Sequence, residues 1–472
     1  MISAAEILER AGELSLRPEI VEKDYVLGWL LAGIAEHPVL RDQWVFKGGT
    51  CLKKVHFETY RFSEDLDFTV KEGAHLNEAF LRQAIAEVAR AVYEACGLEI
   101  PQDQIRFDVY TNKRGGQSAE GRVYFRGPLR PGGSLPRIKL DLTADEVIVL
   151  NAERLRVVHP YTDEPSGGIT VLSYPFAEVF AEKIRALAER GRPRDLYDVV
   201  NLFRREEARS AERDIRRCLD EKCRFKGIPV PALETIQAHR VEIEADWEAM
   251  LGLQLPVLPP LDTFWGELPA LFRWLREEEA PAAPVPYPLR SDERPVYVGL
   301  GGFRAAGIRG GLLEVVRFAA GSHLCVDLDY VDKQGNFNTR TIEPYSLRTT
   351  SEGHYLLHAE RADGSGHRTY RVDRIQGARA TKRGFVPRFA IELSASGPMS
   401  APSSAQRFVD PRGTRSATKR RGGGLGPTYV YQCSFCGKRF DRSRHDASLR
   451  PHKDKNGWPC AGRVGYLVNT RY

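Results

Sequence analysis

The sequence predicts an α+β chain of several domains, and three observations carry that expectation. The first 250 or so residues alternate helical and strand-like patterns. Residues 290–395 are short alternating strands broken by turn glycines. The C-terminal end gathers three of the eight cysteines among basic residues. A length of 472 residues allows about three domains at roughly 150 residues each. The hydrophobic fraction of 42% suffices for ordinary cores. No apolar run approaches the roughly 20 residues of a membrane span. The start, MISAAEILERAGEL, lacks the basic and apolar regions of a signal peptide. A cytoplasmic location with no membrane partner is therefore expected. Cys51, Cys96, Cys218, Cys223 and Cys325 are spaced as isolated thiols, not as a disulfide framework.

The elements follow in order. Glu22 to Ile34 reads as an amphipathic helix. Trp44 to Lys47 is a short strand, and Thr50 to Phe57 fits one or two helical turns. Arg61 to Val70 is an acidic strand. Arg137 to Thr143 alternates, with Ile138, Leu140 and Leu142 on one face. Tyr174 to Glu189 and Arg194 to Arg204 are helices separated by Gly191 and Pro193. Together these make a first domain over 1–254. Residues 255–289 are proline-rich and read as a linker around a short helix with Phe272 and Trp274. In 290–395, Gly335 and Gly364 mark hairpin turns. Residues 396–428 have the Ser, Pro, Gly and Arg content of a flexible basic tether, and 429–472 form a small terminal module. The glycine clusters at 299–302 and 422–424 are turn and tether, not phosphate loops.

Charge is unevenly spread. Residues 396–472 hold 15 Lys+Arg against 4 Asp+Glu, a balance of +11, while residues 1–395 hold 54 against 59, a balance of −5. A basic tail points to nucleic acid as its partner.

The chemistry centres on FKGGTCLKKVHFETYRFSEDLDFTV, Phe46 to Val70. Asp65 and Asp67 share one face of a strand, opposite Leu66 and Phe68. Two such carboxylates suit a divalent cation, since Mg²⁺ takes a few hard oxygen ligands together with phosphate. The Gly48-Gly49-Thr50 turn can bring backbone N–H groups to a phosphate. Asp141, on the polar face of its strand, is the candidate third ligand. Lys183 falls within the apolar stripe of its helix and needs an anionic partner, either a nucleotide phosphate or Asp195. Lys47, Arg61 and Glu64 read as surface charges, and Lys23 and Asp24 as braces of the fold.

Five segments carry a resemblance. They are Glu22-Lys23-Asp24-Tyr25, Phe46-Lys47-Gly48-Gly49-Thr50, Arg61-Phe62-Ser63-Glu64-Asp65-Leu66-Asp67-Phe68, Glu182-Lys183-Ile184-Arg185-Ala186-Leu187 and Arg194-Asp195-Leu196-Tyr197-Asp198. In this order, over about residues 15–205, the chain resembles the nucleotidyltransferase AbiEii/AbiGii toxin family of the DNA polymerase β-like superfamily. The resemblance implies a mixed sheet with flanking helices, Mg²⁺ dependence, and nucleotide transfer to a substrate such as tRNA. It implies Asp65 and Asp67 as metal ligands and Lys183 as a nucleotide contact. Gly48, Gly49, Thr50 and Ser63 would line the nucleotide site, with a further aspartate at Asp195 or Asp198. A cognate antitoxin is a partner the family commonly has. Fourteen residues lie between Thr50 and Asp65, a longer gap than the superfamily's usual one.

Residues 290–395 resemble a WYL domain, through Arg340 to Leu347, His354-Tyr355-Leu356 and Arg368 to Ile375. His354 stands where the naming tripeptide has Trp. The resemblance implies a small β-rich barrel that binds nucleotide or nucleic acid through Tyr355, Arg368, Arg371 and Arg374. Alternatively, these arginines only solubilise an outer face. Near the end, Cys433, Cys436, His452 and Cys460 form a Cys₃His set suited to structural Zn²⁺, with His445 the competing ligand. About 40 residues make too small a core without such a staple.

The expected function is a Mg²⁺-dependent nucleotidyltransferase toxin or phage-defence effector. It would move NMP from an NTP to nucleic acid, with a tRNA 3′ end first, other RNA next and DNA after that. The alternatives are a non-catalytic WYL and zinc regulator that binds nucleic acid, and NMP transfer to protein.

Overall fold

The computed structural model describes residues 1–14, 16–57, 61–112, 114–130, 132–277, 285–288, 292–296 and 311–393. In the tail it describes 428–433, 436–442, 447–450, 452–453, 459–460 and 464–471. The glycine cluster at 299–302, most of the 396–428 tether and His445 lie outside the described residues.

The first domain is built on a seven-stranded mixed sheet of order β3-β4-β5-β2-β1-β7-β6. The strands are β1 Trp44–Lys47, β2 Asp65–Val70, β3 Arg106–Thr111, β4 Gln117–Tyr124, β5 Arg137–Thr143, β6 Glu153–Val157 and β7 Ile169–Ser173. β2 runs parallel to β5 and antiparallel to β1, and β1 runs parallel to β7. The alternation read in Arg137 to Thr143 is that of β5. Ile138, Leu140 and Leu142 are buried and join Leu66, Phe68, Val123 and Phe107 in the core.

The helix Pro18–Glu36 opens with Pro at its first turn, where a missing N–H costs nothing. It is not amphipathic as expected, because it is buried on nearly every side. Its polar residues are braces. Asp24 takes Lys54 at 2.7 Å and the Tyr161 hydroxyl at 3.0 Å, Tyr25 donates to Asp163 at 2.8 Å, and Lys23 pairs with Glu64. The helix Phe176–Arg190 ends at Gly191 (φ 51°), and Pro193 opens the helix Pro193–Phe203.

The stretch read as a linker is packed rather than free. Helices Leu261–Trp265 and Leu268–Leu275 bury Phe264, Leu271, Phe272 and Trp274, and Glu267 pairs with buried Arg204 at 2.6 Å. The prolines there start short helices instead of keeping the chain extended. The β-rich unit continues the same core. It holds β8 Glu293–Pro295, the helix Gly311–Gly321, β9 Leu324–Val331, β10 Phe337–Thr350, β11 Tyr355–Arg361, β12 His367–Arg371 and β13 Ile375–Gly384. Their order is β12-β11-β10-β9-β13, with β8 also on β10. Gly335 (φ 85°) and Gly364 (φ 80°) sit in the β9–β10 and β11–β12 turns, as the sequence predicts.

Candidate active site

β2 and β5 lie side by side in a register that sets Asp67 opposite Asp141 and Asp65 opposite Lys139. Facing residues of parallel neighbours share one side of the sheet, about 4.8 Å apart. Asp65, Asp67 and Asp141 therefore stand together on the face away from the Leu66/Leu140 core. Burial and then the Asp141 charge push Asp67 up to about 6, against the pull of Lys47 and Lys183. Asp65 is raised by the same two causes in the same order. Carboxylates crowded until their protons are held back are stabilised by a cation. Three hard oxygen donors on one face fit a divalent ion such as Mg²⁺. Lys139 relieves part of the crowding, with its Nζ 2.9 Å from Asp141.

The Gly-Gly-Thr turn packs straight onto this strand. Gly48 has φ 78°, and a Cβ there would lie 2.0 Å from an Asp67 carboxylate oxygen, so no other residue fits. A Cβ on Gly49 would lie 2.7 Å from Arg61 Nη2 and 3.2 Å from Ser63 Oγ. Thr50 is buried, and its hydroxyl donates to the Asp65 carbonyl. Its hydroxyl thus holds the start of β2.

Lys183 does have anionic partners within the fold. Its Nζ is 2.8 Å from Asp198 and 3.4 Å from Asp195. Arg61 clamps Asp198 with two bonds of 2.6 and 2.7 Å, and Arg190 clamps Asp195 with bonds of 2.7 and 3.0 Å. Burial alone would raise both acids. Lys183 and Arg190 hold Asp195 down, at about 2, while Arg61 and Lys183 hold Asp198 below its ordinary range. Lys183, Arg61 and Arg190 thus share the two buried carboxylates, and the charge of Lys183 also acts on Asp67.

Lys47 and Arg61 are buried and not the surface charges the sequence suggested. Lys47 reaches Glu182 at 3.1 Å and Glu146 at 3.8 Å, and its charge also acts on Asp67. The sequence signal for Lys47 was its strand, WVFK, which is buried along its whole length. Between these groups lies a cavity of about 230 Å³ lined by Lys47, Gly48, Gly49, Asp67, Lys183 and Arg190, among others. The Gly48-Gly49 backbone, the carboxylates of Asp67, Glu146 and Glu182 and the cations Lys47, Lys183, Arg185 and Arg190 line it, a set that suits phosphate groups with their metal.

The β-rich unit does not set all four candidates on one strand face. Arg368 and Arg371 lie an odd number of residues apart on β12 and so project to opposite faces. Arg371 is engaged by Asp373 at 2.6 Å and by His354 at 3.3 Å. Tyr355 opens β11, and Arg374 lies beyond β12.

The terminal module does gather its four. The ligand atoms of Cys433, Cys436, His452 and Cys460 all lie within 4.8 Å of one another. Cys433 and Cys460 sulfurs are 3.7 Å apart, near the ~3.8 Å edge of a tetrahedron with Zn–S bonds of about 2.3 Å. His452 Nδ1 lies 2.9 Å from the Arg450 carbonyl. Donation there leaves Nε2, 3.4 Å from Cys436 Sγ, free to bind metal. The set is compatible with zinc.

A family model described as the nucleotidyl transferase AbiEii toxin of type IV toxin–antitoxin systems matches residues 29–277. A WYL domain model matches residues 311–380. No curated protein matches in sequence. Among solved structures, MenT4, a nucleotidyltransferase toxin from Mycobacterium tuberculosis H37Rv, aligns at 18% identity and a TM-score of 0.36, covering 59% of this chain and 91% of that one. JHP933 from Helicobacter pylori aligns at 13% identity and 0.36, covering 56% and 94%. Proteasome accessory factor B/C of Arthrobacter aurescens aligns at 12% and 0.15, covering 94% and 80%. No helix among the described residues is long and apolar enough to cross a membrane.

Proposed function

The chain belongs to the nucleotidyl transferase AbiEii toxin family, and from that premise we propose that it transfers NMP from an NTP to the end of an RNA, with a tRNA 3′ end as the first candidate. The observation that supports this most is the register that sets Asp67 beside Asp141 and next to Asp65, at a cavity that Lys47, Lys183 and Arg190 also line. Asp65, Asp67 and Asp141 would hold Mg²⁺, which when bound supplies charge neutralisation and activation of a hydroxyl. The Gly48 and Gly49 backbone and the cations Lys183 and Arg190 orient the triphosphate. Arg61, Asp195 and Asp198 position Lys183. Lys47, anchored by Glu182, keeps Asp67 from taking up a proton fully. The Cys₃His module would hold structural Zn²⁺, and with the basic tail it adds affinity for nucleic acid.

A toxin of this kind acts on its own cell's RNA, in the cytoplasm, and is held by an antitoxin or released in phage defence. Incubating the protein with total RNA and each labelled NTP, followed by sequencing of RNA 3′ ends, tests the reading. Added nucleotides that vanish with Asp67→Asn support it. Label that survives Asp67→Asn, or label found only on protein, overturns it.

A further inference from the structure

The sheet carries a second row beside the acidic one. On the open face, Arg106 pairs with Arg122, Arg122 with Lys139, and Lys139 with Asp65. Three basic residues thus form one line across four strands, leading about 14 Å from the candidate catalytic aspartate. The adjacent row is Asp108, Glu120, Asp141 and Asp67. Salt bridges of 2.8 to 3.1 Å tie Arg122 and Lys139 to this acidic row, so those two are balanced. Tyr124 and Arg137 face each other in the row on the other side.

Beyond this line the face opens into a groove of about 1090 Å³, lined by Arg106, Arg126, Arg130, Tyr93 and Tyr124, among others. Arg126 is paired with Glu99. Arg106 donates to backbone carbonyls and Arg137 to the Tyr124 hydroxyl. Among the described residues, Arg106, Arg130 and Arg137 have no carboxylate partner. Arg106, Tyr124 and Arg137 stand on the sheet face that carries the acidic triad, and Arg130 and Tyr93 line the same groove from a loop and a helix; three guanidiniums with two aromatic rings suit one chemistry. Phosphates take the guanidiniums and bases stack on the rings.

We propose that this groove and the Arg106–Lys139 line bind the single-stranded end of the polynucleotide acceptor and lead its terminal hydroxyl to Asp65. The inference rests on the reading of the site as a polynucleotide-extending nucleotidyltransferase. It adds where the acceptor lies and why a single strand is needed, since splayed bases alone can stack on Tyr124 and Tyr93.

The test uses the full chain and a triple variant, R106A/R130A/R137A, with Tyr124→Ala as a second. All four side chains lie at the surface or its margin, so matching thermal melts are expected. In transfer assays the acceptor KM should rise tenfold or more in the triple variant, with NTP KM within twofold of wild type. An acceptor KM within twofold of wild type overturns the proposal. Fluorescence anisotropy with a labelled single-stranded RNA, and the same sequence as DNA, is measured on the Asp67→Asn protein with and without the triple change. Losing three phosphate contacts should flatten the log–log salt slope by about 2. The basic tail is common to both proteins, so the difference reports on the groove. If the wild type extends no nucleic acid, the underlying reading fails, and the anisotropy arm still decides the groove. Weaker binding and a flatter slope support it, and unchanged binding overturns it.

Discussion

The first domain holds two groups of aspartates whose environments push them in opposite directions. Asp65, Asp67 and Asp141 crowd one another on a sheet face, and both Asp65 and Asp67 have raised pKa values. Asp195 and Asp198 are more deeply buried, yet both are lowered, because Lys183, Arg61 and Arg190 surround them. Burial is common to both groups, so it does not separate them. The difference is the sign of the neighbours. Acids with acid neighbours await a cation, whereas acids with cation neighbours are finished structure.

The largest expected effect tests the first group. Asp67→Asn should lower NMP transfer by at least about a thousandfold, removing a group that would touch both cation and substrate. The melting temperature should not fall, since one of three crowded charges is gone. A lowered melting point would place Asp67 with the structural acids. The next effect tests the second group. Asp198→Asn leaves buried Arg61 and Lys183 short of a counter-charge. Breaking a buried pair from one side costs about 3–5 kcal/mol, and urea denaturation should show a loss of that order.

A third test contrasts the sheet site with the terminal one. Cys460→Ser should remove one zinc per chain by atomic absorption, and leave the main melting transition within a degree or two. A large drop in that transition would mean that the module supports the first domain. The smallest effect is in pH. A raised carboxylate contributes stability that is fully present below about 4 and is lost as pH rises through about 6. Asp67→Asn should therefore gain on the wild type, without added divalent cation, between pH 4 and 7. Asp195 is lowered, so its contribution is present above about 4 and lost as pH falls toward about 2. Asp195→Asn should cost most at neutral pH and least in acid. Parallel pH profiles for the two variants would erase the distinction.

Much of this contrast could be read in the chain, for local reasons. β1 and β5 begin and end where their apolar pattern does. Asp141 was legible as a ligand candidate because strand alternation alone put it opposite Ile138, Leu140 and Leu142. The Cys₃His set was legible because ligand spacing is a local signal. What escaped was distant. Lys47 meets a partner 135 residues away and Arg61 one 137 residues away; the apolar WVF before Lys47 is a faint signal of its burial, and nothing in Arg61's own segment announces it. β3 was missed because its alternation is short, Phe107 and Val109 alone, and only Phe107 of its six side chains reaches the core. The bond from the Thr50 hydroxyl was not legible, because only the folded turn brings the Asp65 carbonyl near. The placement of Arg368 and Arg371 is different. Their odd spacing was visible from the start, and strand geometry already set them apart.

The claim on which the account turns is that Asp65, Asp67 and Asp141 form a cation site, whereas Asp195 and Asp198 do not. Mn²⁺ titration followed by electron paramagnetic resonance, on the zinc-loaded full chain, tests it most directly. The expected result is saturable binding in the wild type that is lost in Asp67→Asn. Equal binding by the two proteins would contradict the account.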